Sequence, residues 1–240
     1  MIVGERSQEV LDFISDETNQ RKFKRYLAFQ GEPNLDYDVQ NIHIHDGRTD
    51  KETKIRIAID GGKFLTKEEW IESNGKYTID DVIGIAVVTP AVQFIWSLHE
   101  WEAKWSDDTD HCITGKHNEA EALQVVSGYE HTKAIVDAQS EEGDTAAKLC
   151  WNYGHKGLQW YLPSVLELCA VCANKKEINE LLELVGGELL DLDECYWSST
   201  ERSAYTSWYV NFYDGYVGNY NGNYYTYQYY TLVVRPAVAY

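Results

Sequence analysis

The sequence has few basic residues for its length. Among 240 residues there are 21 Lys and Arg against 39 Asp and Glu, which gives a formal net charge of −18. The imbalance is concentrated between residues 80 and 200, which carry 7 basic and 22 acidic side chains, whereas residues 201–240 carry 2 of each. A field of this sign repels polyanions, so we expect no nucleic-acid partner.

Cysteine is also scarce, and long apolar runs are missing. The 5 cysteines, an odd number, argue against a disulfide framework. No apolar run is long enough for a membrane span, and the N-terminal segment meets acidic residues too early for a signal peptide. We therefore expect a cytoplasmic protein, or one that leaves the cell in a larger particle such as a phage virion, in association with the tail. The apolar fraction of 44% is enough for a real core.

The first 79 residues predict helices followed by strands. Apolar residues recur at helical spacing between 5 and 30, which predicts a helix or a helical pair. Residues 39–45 and 53–59 alternate in polarity on either side of a turn-forming loop and predict a β-hairpin. Asn74-Gly75 is a break in the pattern, and we place a domain boundary near it, which divides the chain into residues 1–79 and 80–240.

Residues 80–240 predict strands at both ends and helices in the middle. Residues 82–89 and 93–98 are apolar runs joined by a short turn, which is typical of paired buried strands. Trp101 and Trp105 have the spacing of one helical face. Helices are predicted at 118–139 with a break at Gly128, at 145–153, from the capping box that begins at Ser164, and at 177–185, and three strand-like segments follow. This is an α+β pattern, in which we expect the last strands to pair with the first.

The stretch from Tyr196 to Tyr240 is unusual in composition. Ten of the 18 tyrosines lie between Tyr205 and Tyr230, and the residues between them are mostly Asn, Gly, Thr and Ser. Asp214 is the only charged residue from 203 to 234. A solvated surface would be rich in Lys and Glu, and a core would be rich in Leu and Ile. This stretch has neither composition.

Within this stretch, apolar and polar residues alternate as in a strand with one buried face. Trp208, Val210 and Phe212 fall on one face, and Tyr209, Asn211 and Tyr213 fall on the other. Tyrosine gives a large amphipathic contact at low entropy cost, and Ser, Gly and Asn give adaptable hydrogen bonds, as in antibody paratopes. The ordered strand patterns on both sides argue against a low-complexity, aggregation-prone tail. The stretch therefore predicts a recognition surface.

Several segments resemble a known family. They include GIAVVTPAVQFIWSL, SGYEHTKAIVDAQ, WYLPSVLEL, KKEINELLELVGG, YWSSTE, WYVNF and VVRPAV, in this order. Together they resemble the variable proteins targeted by diversity-generating retroelements, which have a C-type-lectin-like fold related to the formylglycine-generating-enzyme branch. The resemblance covers roughly residues 80–240. It implies an α+β, C-type-lectin-like domain preceded by a helical and β-hairpin appendage.

The resemblance also implies which residues vary. In this family, adenine-directed mutagenesis rewrites codons near the C-terminus, and the permitted outcomes include Tyr, Asn, Ser, Thr, Gly and Asp. The variable region would span about 203–232. The implied ligand-binding positions are Tyr205, Thr206, Tyr209, Tyr213, Tyr216, Gly218, Tyr220, Gly222, Tyr224, Tyr225, Tyr227 and Tyr229. The implied fixed scaffold is Trp197, Trp208, Val210, Phe212, Val217, Val233 and Arg235.

Motifs that could indicate a metal or a catalytic site are better explained structurally. Cys169-x-x-Cys172 lies in a predicted helix without a second such pair, which favours buried structural thiols over a zinc or redox site. Glu32-Pro33-Asn34 matches a calcium and sugar motif of animal lectins, but its partner motif is absent. His43-x-His45 is typical of the solvated side of a hairpin, and the acidic runs at 107–110 and 191–194 do not match an EF-hand. We expect no catalytic residue, metal or cofactor.

The sequence therefore favours a non-enzymatic binding protein. The expected partner is a cell-surface protein or glycan, and residues 1–79 would dock the domain to a phage particle or form a homo-oligomer. Two alternatives stay open. One is an enzyme of the formylglycine-generating type, which would need a cysteine-centred pocket or a copper or calcium site. The other is a structural phage protein whose tyrosines are buried at an oligomer interface.

Overall fold

The chain separates into two compact units, Met1–Lys51 and Glu52–Tyr240. The structure, a computed structural model, describes residues 53–106, 112–126, 128–139, 143–219 and 231–239, all of which belong to the second unit. The helix predicted between 5 and 30 and the strand predicted at 39–45 lie outside the described residues. The lectin motif at Glu32 and the histidines at 43 and 45 lie outside them as well.

The described residues form strands and helices that alternate in groups along the chain. The strands are β1 Lys54–Ile59, β2 Lys63–Leu65, β3 Val82–Val88, β4 Gln93–Trp96, β5 Trp101–Ala103, β6 Cys195–Ser203, β7 Thr206–Asn211, β8 Val217–Asn219, β9 Leu232–Val234 and β10 Ala237–Val238. The helices are α1 Lys67–Glu72, α2 Glu119–Ala122, α3 Tyr129–Ala138, α4 Ala146–Asn152, α5 Val165–Ala173 and α6 Lys175–Val185. Short 3₁₀ turns span Ile79–Asp81 and His155–Gly157. The predicted α+β class is confirmed as a mixture of helices with two sheets.

The first sheet has the strand order β10-β4-β3-β1-β2 and is antiparallel throughout. Strand β1 pairs with β2 and with β3, where Ile55 lies opposite Val87 and Ile57 opposite Ile85. The predicted boundary between residues 79 and 80 is therefore misplaced, because β1, β2 and β3 form one sheet. The alternating polarity of β1 predicted a strand but could not identify its partner, since pairing depends on residues distant in sequence.

The second sheet has the order β5-β9-β6-β7-β8. Its pairs are antiparallel except for a single parallel pair between Tyr196 and Val233. Trp101 lies in β5 opposite Val234, so its spacing from Trp105 does not reflect one face of a helix. Trp105 is buried and donates its indole N–H to the Ser198 carbonyl at 2.7 Å, a contact that the sequence spacing could not indicate. The expectation that the last strands pair with the first is confirmed by β9 beside β5 and β10 beside β4.

Helix starts follow the side-chain signals in the sequence. Capping boxes begin α1 at Thr66, α2 at Asn118 and α5 at Ser164, and the last of these is the box predicted from the sequence. The predicted break at Gly128 separates α2 from α3. A β-carbon on Gly128 would lie 2.1 Å from the Leu162 carbonyl oxygen, so only glycine allows this close approach of two backbones.

Three apolar clusters hold these elements together. The largest lies between the two sheets and includes residues of α5 and α6 together with the inner faces of β1, β3, β6 and β7. The second lies on the opposite face of the second sheet, where α3 and α4 pack near Trp197 and Val234. The third, which includes Trp160 and Val238, covers the outer face of the first sheet. Within the described ranges, no helix has both the length and the apolarity that crossing a bilayer requires.

Candidate functional site

Strand β7 places its side chains in the alternation that the sequence predicts. Trp208, Val210 and Phe212 are buried in the core between the sheets. Phe212 stacks on Tyr196 with ring centroids 4.0 Å apart, and its backbone N–H donates to the Glu194 carbonyl at 3.0 Å. Every residue of the implied fixed scaffold is buried: Trp197, Trp208, Val210, Phe212, Val217, Val233 and Arg235.

The other face of β7 is less open to solvent than the alternation alone suggests. Tyr209 is half-buried, because its ring packs edge-on against Trp197 with centroids 6.4 Å apart. Asn211 is half-buried as well, and full exposure begins beyond the end of the strand, at Tyr213. The second apolar cluster covers the part of this face nearest to Trp197.

Two tight turns present the exposed tyrosines. In the turn between β6 and β7, the Ser203 hydroxyl lies 2.8 Å from the Thr206 hydroxyl and accepts the Tyr205 backbone N–H at 3.2 Å. Tyr205 is 50% exposed at the tip of this turn. Thr206 is buried, so its side chain supports the turn and does not face outward.

The turn between β7 and β8 is held by its own backbone and side chains. The Asn211 N–H donates to the Tyr216 carbonyl, and the Gly215 N–H donates to the Asn211 carbonyl, both at 2.8 Å. The side-chain oxygens of Asn211 and Asp214 accept the backbone N–H groups of Tyr213 and Tyr216 at 2.8 and 2.9 Å. These bonds fix the backbone beneath two exposed rings, 72% exposed at Tyr213 and 42% at Tyr216.

A lysine outside the tyrosine-rich stretch also binds this turn. The Lys175 ammonium, at the start of α6, donates to the carbonyl oxygens of Phe212 and Tyr213, the second at 3.1 Å. A charge-assisted bond of this kind is stronger than a neutral one. No local sequence pattern indicates this contact, because Lys175 and Phe212 lie 37 positions apart in the chain.

Gly218 lies beneath the aromatic surface and does not form part of it. It pairs directly with Tyr209 across β7 and β8 and is buried. A β-carbon there would lie 2.5 Å from the end of the Tyr209 ring and 2.6 Å from the Tyr216 ring. The two tyrosines therefore cover this glycine.

Arg202 adds one cation beside the tyrosines. Its guanidinium donates to the Asn219 side-chain oxygen at 2.5 Å and lies 6.0 Å from the Trp208 ring centroid. Sequence reasoning did not include Arg202 in the site, although it immediately precedes the long stretch that carries no basic residue.

A buried carboxylate supports the β6–β7 hairpin close to its turn. Glu201 is 1% exposed, and its carboxylate accepts the backbone N–H groups of Ile113 and Thr114 and the Thr114 hydroxyl. The same loop also accepts a hydrogen bond from the hairpin, because the Trp208 indole donates to the His117 carbonyl at 3.0 Å. The loop at 112–118 and the hairpin thus hold each other in place, which the sequence did not reveal.

Two imidazoles lie next to this support. The ring centroids of His117 and His131 are 5.4 Å apart. Burial, followed by the neighbouring His117, lowers the pKa of His131 to about 4, so His131 is neutral at pH 7. Nearby, burial and the Glu201 carboxylate raise the pKa of Cys112 to about 11.

The fixed arginine of the implied scaffold forms a buried ion pair. Arg235 donates to the Glu100 carboxylate at 2.9 Å and to the Glu188 carbonyl at 2.8 Å, and the Tyr196 hydroxyl donates to the same Glu100 oxygen at 2.9 Å. Burial is the largest influence on both charges, lowering the pKa of Arg235 and raising that of Glu100. This network joins the start of β5 to the end of β9.

The cysteines do not form a metal centre among the described residues. No group of three His, Cys, Asp or Glu side chains within the described ranges is placed to hold a metal ion. Burial raises the pKa of the thiols of Cys150, Cys169 and Cys195, the last to about 11, so these thiols are protonated at pH 7. A protonated thiol is a poor nucleophile.

The structure exposes part of the predicted ligand-binding set, with Tyr205 at one end of β7 and Tyr213 and Tyr216 at the other. Tyr205, Tyr209, Tyr213 and Tyr216 contribute exposed or half-buried rings, whereas Thr206 and Gly218 are buried beneath them. The remaining predicted positions, Tyr220, Gly222, Tyr224, Tyr225, Tyr227 and Tyr229, lie outside the described residues.

Fold and site together define an α+β domain with two sheets and tyrosines on the turns at either end of β7. No protein-family profile matches the sequence, and no curated protein matches it. Among solved structures, a fimbrial protein from Bacteroides ovatus ATCC 8483 is similar, with a TM-score of 0.57 and 17% sequence identity. The match covers 82% of this chain and 49% of the fimbrial protein, so this chain spans about half the length of that protein. At this identity the similarity concerns the fold alone.

Proposed function

We propose that this protein binds a ligand through a tyrosine-rich surface displayed on a C-type-lectin-like scaffold. The observation that carries the proposal is the arrangement of Tyr205, Tyr213 and Tyr216. These rings are 50%, 72% and 42% exposed on two turns whose flanking strands are anchored in the core. Large aromatic groups left exposed on ordered turns are typical of interaction sites.

The turns are suited to binding because their backbones are already fixed. Ser203 and Thr206 brace the first turn, and Asn211, Asp214 and Lys175 brace the second. A surface that is ordered before it meets its partner loses less conformational entropy on binding. Tyrosine adds little to that cost, since its side chain has only two rotatable bonds.

We further propose that the chain is a variable protein of a diversity-generating retroelement. Two features support this proposal. The residues implied as fixed scaffold are buried, and the implied variable residues of the described part include the exposed tyrosines. A near-identical downstream repeat that differs from codons 196–236 only at adenines, beside a reverse-transcriptase gene, would test it. If the surrounding DNA has neither feature, the retroelement proposal fails.

The proposed partner is a cell-surface protein or glycan, in a receptor-binding or adhesin-like role. A neutral tyrosine surface on an otherwise acidic chain favours uncharged, hydrogen-bonding partners over anionic ones. The fold similarity to a fimbrial protein is compatible with adhesion. Attachment to a phage particle, or self-association, would fall to residues 1–51, because residues 54–72 are built into the binding domain.

The binding proposal is tested with the full chain on glycan arrays and on intact bacterial cells. The double variant Tyr213→Ala/Tyr216→Ala should lose at least tenfold in apparent affinity for any target that the parent binds, because aromatic anchors dominate such interfaces at about 2 kcal/mol or more each. The control is Ile71→Ala/Leu189→Ala, which removes two similarly exposed apolar side chains elsewhere, 57% and 49% exposed. Equal binding by the tyrosine variant and the parent would mean that this surface is not the binding site.

A further inference from the structure

Gly218 occupies a position where two tyrosine rings leave no room for a side chain. An ideal β-carbon built there would lie 2.5 Å from both Cζ and Oη of Tyr209, and 2.6 Å from Cε1 of Tyr216. Real β-carbons essentially never approach other heavy atoms this closely. The missing side chain is therefore what allows both rings to lie over β8.

The backbone itself places no such restriction on Gly218. It is not among the described glycines with positive φ, and it pairs in regular register with Tyr209. An extended backbone of this kind accepts any L-amino acid. Glycine is thus required here by its neighbours' side chains and not by a turn.

Other buried glycines show the contrast. A β-carbon on Gly84 would lie 2.2 Å from the Trp96 carbonyl oxygen, and one on Gly128 would lie 2.1 Å from the Leu162 carbonyl oxygen. Those obstacles are backbone atoms within the packed fold and cannot move without disrupting it. At Gly218 the obstacles are ring atoms at the ends of flexible side chains, one of them 42% exposed.

We infer that Gly218 is a specificity-determining residue of the proposed binding surface, and that it acts through the two rings that cover it. A side chain at 218 displaces Tyr216 toward solvent and shifts Tyr209, while the strand pairing stays intact. Tyr216 moves more, because Tyr209 packs against Trp197 whereas the Tyr216 ring is partly exposed. One substitution at a buried position therefore changes the shape of the surface at two positions. The displacement of the rings is independent of the proposed function, whereas the effect on binding specificity rests on it.

The test uses the full chain with Gly218→Ala and Gly218→Ser. Nitration by tetranitromethane, followed by mass spectrometry, reports the accessibility of each tyrosine ring without any ligand. We expect nitration of Tyr209 or Tyr216 to rise at least twofold, with Tyr205 and Tyr213 unchanged as internal controls. Unchanged nitration at both covering tyrosines would overturn the inference, since the β-carbon would then be accommodated without moving a ring.

A second measurement separates ring displacement from damage to the fold. Gly218→Ala should lower the melting temperature by only ~3 °C, in line with about 1 kcal/mol of lost packing in a chain of this size. The same change in a Tyr209→Ala/Tyr216→Ala background should have no effect, because the obstructing rings are gone. An equal loss in both backgrounds, or increased nitration of all four tyrosines, would show that Gly218 is a requirement of the fold. Both measurements work without a ligand, so failure of the binding proposal would leave their outcome unchanged.

Discussion

His131 shows how one residue can make the stability of this protein depend on pH. Its imidazole lies 5.4 Å from that of His117, and burial together with this neighbour lowers its pKa to about 4 from an ordinary value of 6.5. Below pH 6.5 the unfolded chain therefore takes up a proton that the folded chain excludes. Above pH 6.5 neither state binds this proton, so the effect vanishes.

We predict that the free energy of unfolding falls as the pH is lowered from 6.5 toward 4, and that His131→Gln removes part of this loss. Between pH 7.5 and 5.0 the parent should lose about 1 to 2 kcal/mol more than the variant, after allowance for partial solvent screening. Urea titrations at the two pH values measure this difference. The comparison is His99→Gln, at a side chain that is 46% exposed and lies 3.3 Å from the Glu188 carboxylate; removing this pair should not reduce the loss of stability at low pH. Identical pH dependence of parent and His131→Gln would contradict the prediction.

The sequence divides buried from exposed residues correctly where burial follows from the alternation of a strand. The sequence predicted buried Trp208, Val210 and Phe212 because a strand with one packed face alternates with a period of two. It did not predict that Thr206 and Gly218 lie beneath the surface, since this depends on how a turn folds back and where neighbouring rings lie. Glu201 and Lys175 could not be found, because their partners are distant in the chain.

At the scale of single elements, the helices were the most predictable part of the fold. A capping box needs only residues three apart, and the boxes at Thr66, Asn118 and Ser164 all form. The Glu167 carboxylate extends its box into a tertiary contact, because it also accepts the Gly128 N–H at 2.9 Å and the Tyr161 hydroxyl at 2.6 Å. The carboxylate that completes the capping box of α5 therefore also attaches the start of this helix to Gly128 and Tyr161.

Gly128 provides a prediction for the junction between the start of α3 and residues 162–167. Gly128→Ala should lower the free energy of unfolding by about 3 kcal/mol, because its β-carbon meets the Leu162 carbonyl oxygen and overpacking at backbone contacts is costly. The comparison is Gly61→Ala, which has open space around it but a φ of +80°, and should cost only about 1 kcal/mol. Equilibrium unfolding in urea gives both values. A cost at Gly128 no greater than that at Gly61 would mean that the junction relaxes easily.

Elements whose identity depends on distant partners were predicted less well. The spacing of the tryptophans at 101 and 105 would suit one face of a helix, but Trp101 lies in β5, where β9 is its antiparallel partner. The strand predicted at 53–59 is confirmed as β1, but its pairing with β2 and β3 was not predicted, and its predicted partner at 39–45 lies outside the described residues. The spacing of residues within a short segment cannot predict which distant strand will pair with it. This is why the domain boundary was misplaced.

At the scale of the whole molecule, nine residues near the C-terminus join the two sheets. In residues 231–239, β9 lies between β5 and β6 of the second sheet, and β10 pairs with β4 of the first. Between them, Arg235 forms its buried ion pair with Glu100, and the Pro236 carbonyl accepts the Ser97 N–H at 3.0 Å. The two sheets should therefore unfold together.

A proline in β10 tests this coupling. Ala237 donates its N–H to the Tyr161 carbonyl at 2.9 Å, and Ala237→Pro removes this donor, which should cost about 1 to 3 kcal/mol. We expect amide exchange in β7 of the second sheet to accelerate along with that in β3 of the first. Ala239→Pro, at an exposed position, serves as the control. Faster exchange confined to β3 would show that the sheets open independently.

The position of β9 and β10 also decides whether a chain with a frameshift or a premature stop codon can fold. Both strands follow the tyrosines at 205–230, so a frameshift or premature stop codon in that range removes an interior strand of one sheet and an edge strand of the other. Substitutions at the exposed tyrosines leave both strands in place. Folding itself thus acts as a quality check on the reading frame, because a chain must be translated in frame through residues 205–230 before either sheet can be completed.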